Sequence, residues 1–521
     1  MDMPATSNQQ PVSSPYVARP AVLVAFLFTT DKLLGIVRDA AIGHAFGASA
    51  ELDAYYAAFE LPDGLFTVVA GSAMATALIP ILSARIARDD QEKVWRLVAA
   101  VINWVLLIVA GMSVVAAVFA PQVVRAVAPG FDVETMALAA RLMRLVLLQT
   151  LISSASGIVM SALQAHQHFL LPAAAPICYT LGRLAGAVLL APRWGIFGLA
   201  WGGLAGTVGH FLIQTPGLIR YRARWWPTLR HPDLRAVLAL MVPRVLGLGA
   251  TYLNFVLPTF LGSRLPVGAI SAYEYGWRLM QFPETIIGTA MGLTVFPTLV
   301  ERANAGDRDG LRRTASWALR LVLALAVPAA VGLLLMGRPL TVLFFQRGEF
   351  DATATGRVYR ALQFFALGLV THSALEVVSR LFYAQRDMWT PLWAALGGLI
   401  VNAGLGWLLL SSLAHGGIAL SNSLGAGLQV VILLLVARRR LTGVEGQALG
   451  ASLARTGAAS LFMGAAVTGF HALLPNAGLL VTSAGGLAVG VATYVLAALL
   501  LGSEEMHELL GLLLKRNRYW R

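Results

Sequence analysis

The sequence predicts an all-α membrane protein of about 14 transmembrane helices. They form two parallel-repeat six-helix lobes around a central cavity, plus two extra C-terminal helices. Three observations predict this. Apolar residues fill 57% of the 521 positions and charged residues only 12%, whereas a soluble domain carries about a quarter charged residues. Apolar runs of about 20 residues, the length a helix needs to cross the hydrocarbon core, recur along nearly the whole chain. These runs do not alternate as β-barrel strands would. Finally, two blocks of sequence recur at one fixed spacing.

In chain order the predicted spans are roughly 20–45, 62–87, 95–120, 137–164, 170–191, 196–219 and 236–261, then 270–300, 314–336, 358–384, 390–412, 416–437, 452–473 and 478–502. A polar segment, 1–19, precedes them, and no cleavable signal peptide is read there. The predicted units are an N-lobe over 20–225, a C-lobe over 226–445, a final helix pair over 446–502 and a cytoplasmic amphipathic basic tail over 503–521. Basic residues cluster in alternate loops: Arg85, Arg88, Lys93 and Arg96; Arg220 to Arg235; Arg302 to Arg313; Arg438 to Arg440; and the tail. The loop after the first span carries Glu51, Asp53 and Glu60 instead, while 337–357, with Arg338, Arg347 and Arg357, is an exception. The positive-inside rule then places both termini in the cytoplasm.

The repeat supports the lobes. Ala162–Pro172, "ALQAHQHFLLP", matches Leu381–Pro391, "LFYAQRDMWTP", and "GLAWGGLAG" from Gly198 matches "GIALSNSLG" from Gly417, both at an offset of 219 residues. An even number of spans per lobe keeps both in one orientation. The repeat is therefore parallel, and such a duplication frames a cavity opened alternately by rocking.

Composition excludes several classes. The net charge of +13 sits mostly in short loops, where it sets topology, so no nucleic-acid partner is expected. The single cysteine, Cys178, excludes a disulfide framework and a cysteine-pair metal site. No phosphate-binding loop, "HExxH" or nucleophile with a nearby base appears. The expectation is a transporter, not an enzyme, without a cofactor; a coupling ion is left open.

Charges inside the membrane mark the candidate site. Asp31, Lys32, Arg38 and Asp39 fall within the first span, where each normally faces a cavity or a partner. Asp31 and Arg38 share one helix stripe, as do Lys32 and Asp39, with Gly35 between. In span eight, Glu274 precedes Arg278 by four residues, the favourable order for a helical ion pair, and Gln281 follows. Neutralisation within a buried helix, or an interfacial belt around Tyr273, Tyr275 and Trp277, are the plain alternatives. In the functional reading Lys32, Arg38 and Arg278 share one cavity and grip an anion, guanidinium holding phosphate by paired hydrogen bonds. Arg183, Asn254 and Asn402 are read as helix–helix hydrogen bonds, and Glu376 with Arg380 as a local pair.

The blocks "DKLLGIVRDAAIGHAFGASAELDAYYAAFELPDGL", "YGWRLMQFP", "FPTL", "LFFQRGEFD" and "LFYAQRDMWTP" together resemble the MurJ/MviN family of lipid II flippases, within the multidrug/oligosaccharidyl-lipid/polysaccharide exporter superfamily. The resemblance runs over essentially the whole chain. It implies fourteen helices, the last pair bounding a groove for a polyprenyl chain. It further implies outward transport of lipid II across the bacterial inner membrane by alternating access; the chain is expected to be a multi-pass monomer among membrane lipids, with no nucleic-acid partner. By resemblance Arg38, Asp39, Asp53 and Arg278 are functional positions. Three departures stand out: Lys32 replaces an arginine, Phe66 and Thr67 replace a basic pair, and Gln281 replaces an acid. They keep open another polyprenyl-pyrophosphate-linked glycan, or a drug or cation antiporter of the superfamily.

Overall fold

A computed structural model describes residues 15–67, 72–440 and 445–516. Regular structure among them is helical throughout. In chain order the helices are α1 (Pro15–Phe46), α2 (Ala50–Leu65), α3 (Ser72–Ile86), α4 (Gln91–Val118), α5 (Ala120–Val127), α6 (Val133–Ala165) and α7 (Leu170–Ala185). Next come α8 (Ala191–Trp194), α9 (Ile196–Leu212), α10 (Thr215–Arg220), α11 (Leu234–Gly262), α12 (Ala269–Glu284), α13 (Ala290–Asn304) and α14 (Arg308–Phe345). The chain closes with α15 (Ala352–Ala384), α16 (Trp389–Leu413), α17 (His415–Arg440), α18 (Gly446–Leu473), α19 (Gly486–Leu500) and α20 (Glu504–Arg516).

Among the described residues, ten helical stretches are long and apolar enough to cross a membrane. The other predicted spans fall on α1, with its four inner charges; on α2 and α3; on α11, whose Tyr252–Gly262 stretch is apolar; and on α12 and α13. Two boundaries moved. The predicted loop before residue 62 is helical from Ala50, and α14 runs on to Phe345, past Arg338. Residues 1–14 of the predicted polar segment and 517–521 of the basic tail lie outside the described residues.

Helix starts follow local chemistry. Side chains of Asp90, Asp307 and Asp351 accept the backbone N–H of Lys93, Gly310 and Ala354, capping α4, α14 and α15. Pro283 removes a donor from α12, and a π-helical turn follows over Thr285–Thr289.

The sequence repeat is also a backbone repeat. Gln167 and Arg386 both adopt positive φ, 59° and 63°, and so do Gly195 and Ala414, at 54° and 51°. Each pair is 219 residues apart, as are the starts of α7 and α16 and of α9 and α17.

Contacts divide the chain into two units. The first comprises 1–42, 61–119 and 142–246; the second comprises 43–60, 120–141 and 247–521. The first is cored by α4, with Val94, Trp95, Val98 and Val101 against Leu78, Ile158 and Val237. Within it α7 and α9 touch backbone to backbone. A Cβ on Gly182 would stand 2.3 Å from the Cα of Gly206, so only glycine fits. Lipid offers apolar surface as readily as protein does, so this close approach and its dispersion contacts hold the pair. The second unit is cored by α14, α15 and α17, with Val322, Val378, Phe382 and Leu433 in one cluster. There α20 is fastened to α14 by Arg320 with Glu504, at 3.2 Å, and by Trp317 donating to Glu508 at 2.6 Å.

Candidate functional site

In the first unit the site grows from α1. The 32-residue helix is apolar except at a few points, and Gly35 leaves room for Arg38 to fold back along its own helix. The guanidinium meets the neighbouring carboxylate: Arg38 Nε donates to Asp39 Oδ1 at 2.9 Å. Asp31 accepts from Thr180 Oγ1 on α7, at 2.8 Å. Asp39 is buried, Arg38 is half-buried and Lys32 is exposed.

The same corner gathers residues that sequence reasoning set aside. Arg183, on α7, is buried, and its guanidinium lies 5.8 Å from the ring centre of Tyr179. A guanidinium thus stands near a phenol on the same helix. The available signal was the arginine in mid-span, which is costly in lipid unless it serves a cavity or a partner.

In the second unit the site is built on α12. Arg278 lies 3.8 Å from Glu274, too far for a good hydrogen bond, and 5.2 Å from the ring centre of Tyr56 on α2. The ion pair predicted from i,i+4 spacing is therefore loose, and an aromatic face shares the cation. Gln281 is exposed, one turn further on. One turn of α15 carries a tight pair, Glu376 with Arg380, and the Arg380 guanidinium covers Gly292 on α13. His372, a turn earlier, bonds Asn422 at 3.0 Å and meets the Trp277 ring edge-on.

Asp53 occupies a different kind of place. It is 4% exposed, and its carboxylate accepts from the backbone N–H of Gly268 and of Ser271, both at 2.7 Å, and from the Ser271 hydroxyl. Gly268, at φ 85°, begins α12. Asp53 is thus the N-terminal cap of α12, a negative charge on the positive end of a helix dipole. Nearby Glu60 receives Thr259 Oγ1, at 2.5 Å, through its carboxylate and the Tyr252 hydroxyl, at 2.7 Å, through its carbonyl. Asn402 bonds Asn254 at 3.3 Å and Ser421 at 2.9 Å, matching its reading as a helix–helix contact. Among the described residues no group of three His, Cys, Asp or Glu side chains is placed to hold a metal ion.

Comparison with known proteins adds an independent line. A family model described as "Lipid II flippase MurJ" matches residues 42–488. The lipid II flippase MurJ of Burkholderia cenocepacia is 33% identical over 434 residues, 81% of this chain and 84% of that protein. A probable lipid II flippase MurJ of Rickettsia prowazekii is 28% identical over 78% of this chain and 81% of its own. Among solved structures, a lipid II flippase MurJ in an inward closed conformation superposes with a TM-score of 0.78 at 22% identity, covering 92% of this chain and 98% of that one. An inward-facing multidrug resistance MATE family transporter of the MOP superfamily superposes at 0.67 and 15% identity, covering 81% and 99%. These two structures share the fold.

Proposed function

The chain belongs to the lipid II flippase MurJ family, and from that premise we propose that it carries lipid II from the inner to the outer leaflet of the cytoplasmic membrane by alternating access. One observation carries this: the family match is unbroken from residue 42 to 488 and takes in Asp53, Glu274, Arg278 and Gln281. Lys32, Arg38 and Asp39 precede the matched residues, so their assignment rests on their charge within the first span and, for Arg38 and Asp39, on the resemblance of the surrounding block.

In this reading Arg38 and Arg278 take the phosphate charge of the substrate. Each is next to a carboxylate, which orients the guanidinium and offsets its charge. An incoming phosphate replaces the weak Glu274 contact of Arg278 with paired, charge-assisted hydrogen bonds. Arg183 and Tyr179 extend the surface presented by α7, and exposed Lys32 adds a point charge. Gln281 offers a neutral amide. Asp53 positions rather than binds: its cap fixes where α12, and with it Arg278, begins.

No chemical step is required, and we read the protein as a transporter without enzymatic activity or cofactor. Outward movement of an anion runs downhill when the cell interior is negative, by about 2.3 kcal/mol per charge per 100 mV. The remaining assignments are fourteen spans in two six-helix lobes with a final pair, a monomeric state, and both termini in the cytoplasm, the last supported by the basic loops. Reconstitution of the purified protein in liposomes with fluorescent lipid II tests the function. A probe confined to the outside gains access to the lipid if the reading is right, and does not if it is wrong.

A further inference from the structure

A cavity of about 560 Å³ opens on the second unit, where α13 turns into α14 beside the ends of α15 and α17. Arg302, Arg308, Arg386 and Arg440 line it, with Asp307 as the only acid and Leu311 among its apolar residues. Arg302 is committed to Asp307 at 2.9 Å, and Arg440 to Asp387 just outside. Arg308 and Arg386 have no carboxylate partner among the described ion pairs, and Arg386 is held at positive φ.

The internal repeat shows that this corner need not be open or basic. In the first unit the equivalent corner is filled by rings. His166 stacks on Trp95 at 5.5 Å and lies tilted against Tyr221 at 4.5 Å, and His168 meets Tyr221 at 6.1 Å. Gln91 bonds His166 at 3.2 Å. By the 219-residue offset Tyr221 corresponds to Arg440 and Gln167 to Arg386. The capping residues Asp90 and Asp307 align Gln91 with Arg308 and Trp95 with Arg312. An aromatic plug has become a set of guanidiniums. With Arg302 and Arg440 paired to Asp307 and Asp387, the charges of Arg308 and Arg386 are left in excess at this corner, and an anion received there would offset them.

Beside the cavity, Met388, Trp389 and Trp393 are 59%, 68% and 65% exposed, a cluster suited to the membrane–water boundary. Exposed tryptophans of this kind, beside the basic loops that carry Arg302, Arg308 and Arg440, are what a lipid headgroup would meet at a membrane surface. We propose that the cavity is a phosphate-recognising site for the headgroup of an anionic phospholipid in the inner leaflet, with Arg308 and Arg386 as its unpaired forks and Arg302 and Arg440 as its flanks. It shares no residue with the substrate positions on α1 and α12 and stands whether or not the carried lipid is lipid II.

The test uses the full chain in detergent micelles, titrated with phosphatidylglycerol, with bound lipid counted by native mass spectrometry. Arg308→Gln with Arg386→Gln is expected to weaken one saturable site at least about tenfold. Arg438→Gln with Arg439→Gln, which removes equal charge outside the cavity, is expected to change it less than about twofold. Equal weakening by both pairs overturns the proposal. If the glutamine pair fails to fold, Arg308→Lys with Arg386→Lys keeps the charge but loses the forks, and undiminished binding by it counts against recognition by guanidinium. Inorganic pyrophosphate and phosphatidylcholine separate the sources. Displacement of phosphatidylglycerol by an equal concentration of pyrophosphate would overturn the lipid assignment in favour of a soluble phosphate, displacement by phosphatidylcholine would overturn recognition of the anionic headgroup, and failure of both competitors supports the proposal.

Discussion

Asp53 on α2 accepts hydrogen bonds from both the backbone N–H and the hydroxyl of Ser271 on α12, a residue 218 positions further along the chain. The bond joins a helix start to a carboxylate that no local sequence signal connects to it. Asp53→Ala is expected to remove the cap at a cost of about 1–2 kcal/mol and to lower flipping several-fold. Ser271→Ala keeps the backbone bond and should lose less than half as much stability. Thermal unfolding and liposome flipping measure the two effects. Equal stability of Asp53→Ala and the parent would contradict the cap.

Arg38 and Asp39 form a second coupled pair, at 2.8–2.9 Å. Arg38→Ala removes the nearest cation from a buried carboxylate and is expected to cost about 3 kcal/mol. Adding Asp39→Ala should restore most of that stability while leaving transport at least about tenfold down, since the phosphate-binding fork is still missing. A double-mutant cycle on melting and on flipping separates these. Recovery of transport in the double variant would show that Arg38 serves structure only.

Gly182 is a packing prediction. Its Cβ would fall 2.3 Å from Gly206, whereas Gly404 on α16 has nothing within 4 Å. Gly182→Ala should therefore destabilise by about 1–3 kcal/mol through overpacking of α7 against α9. Gly404→Ala should be neutral or slightly stabilising. Similar melting shifts for the two would contradict the close approach.

Asp387, between α15 and α16, titrates low. Burial pushes its carboxyl up, but bonds from Thr390 and from Arg440 outweigh burial and bring it from 3.8 to about 2. The folded value lies below the unfolded one, so its stabilisation is present above about 4 and is lost as pH falls through about 2. Asp387→Asn should lower the melting temperature by a constant amount from pH 8 to 5, with the gap closing below about pH 4. A gap that widens on acidification would contradict the sign.

Much of this was legible beforehand, for physical reasons that also mark where reading stopped. Long apolar runs must be helices in lipid, so α4, α6, α15 and α17 were readable nearly to their ends. Glu51, Asp53 and Glu60 made the start of α2 look like a loop, because burial of Asp53 depends on Gly268 and Ser271 far along the chain. Arg38, Asp39, Glu274 and Arg278 were visible as charges out of place. Spacing also gave Glu274 as the partner of Arg278, but not the bond of Arg38 to its neighbour Asp39 or of Thr180 to Asp31. Arg183 was read only as a helix–helix hydrogen bond because one mid-span arginine does not reveal its neighbour, and Tyr179 became relevant only once α7 was placed. The repeat at 219 residues was visible in sequence, but its divergence into a ring-filled corner and an arginine-lined one was not.

Transport itself is tested most directly by rate. Purified protein in liposomes carrying fluorescent lipid II is assayed with an outside probe under an inside-negative potential, alongside Arg278→Ala. Rapid exposure of the lipid by the parent protein, and loss of at least about tenfold in the variant, is the expected result. Equal rates in the parent, the variant and empty liposomes would contradict it.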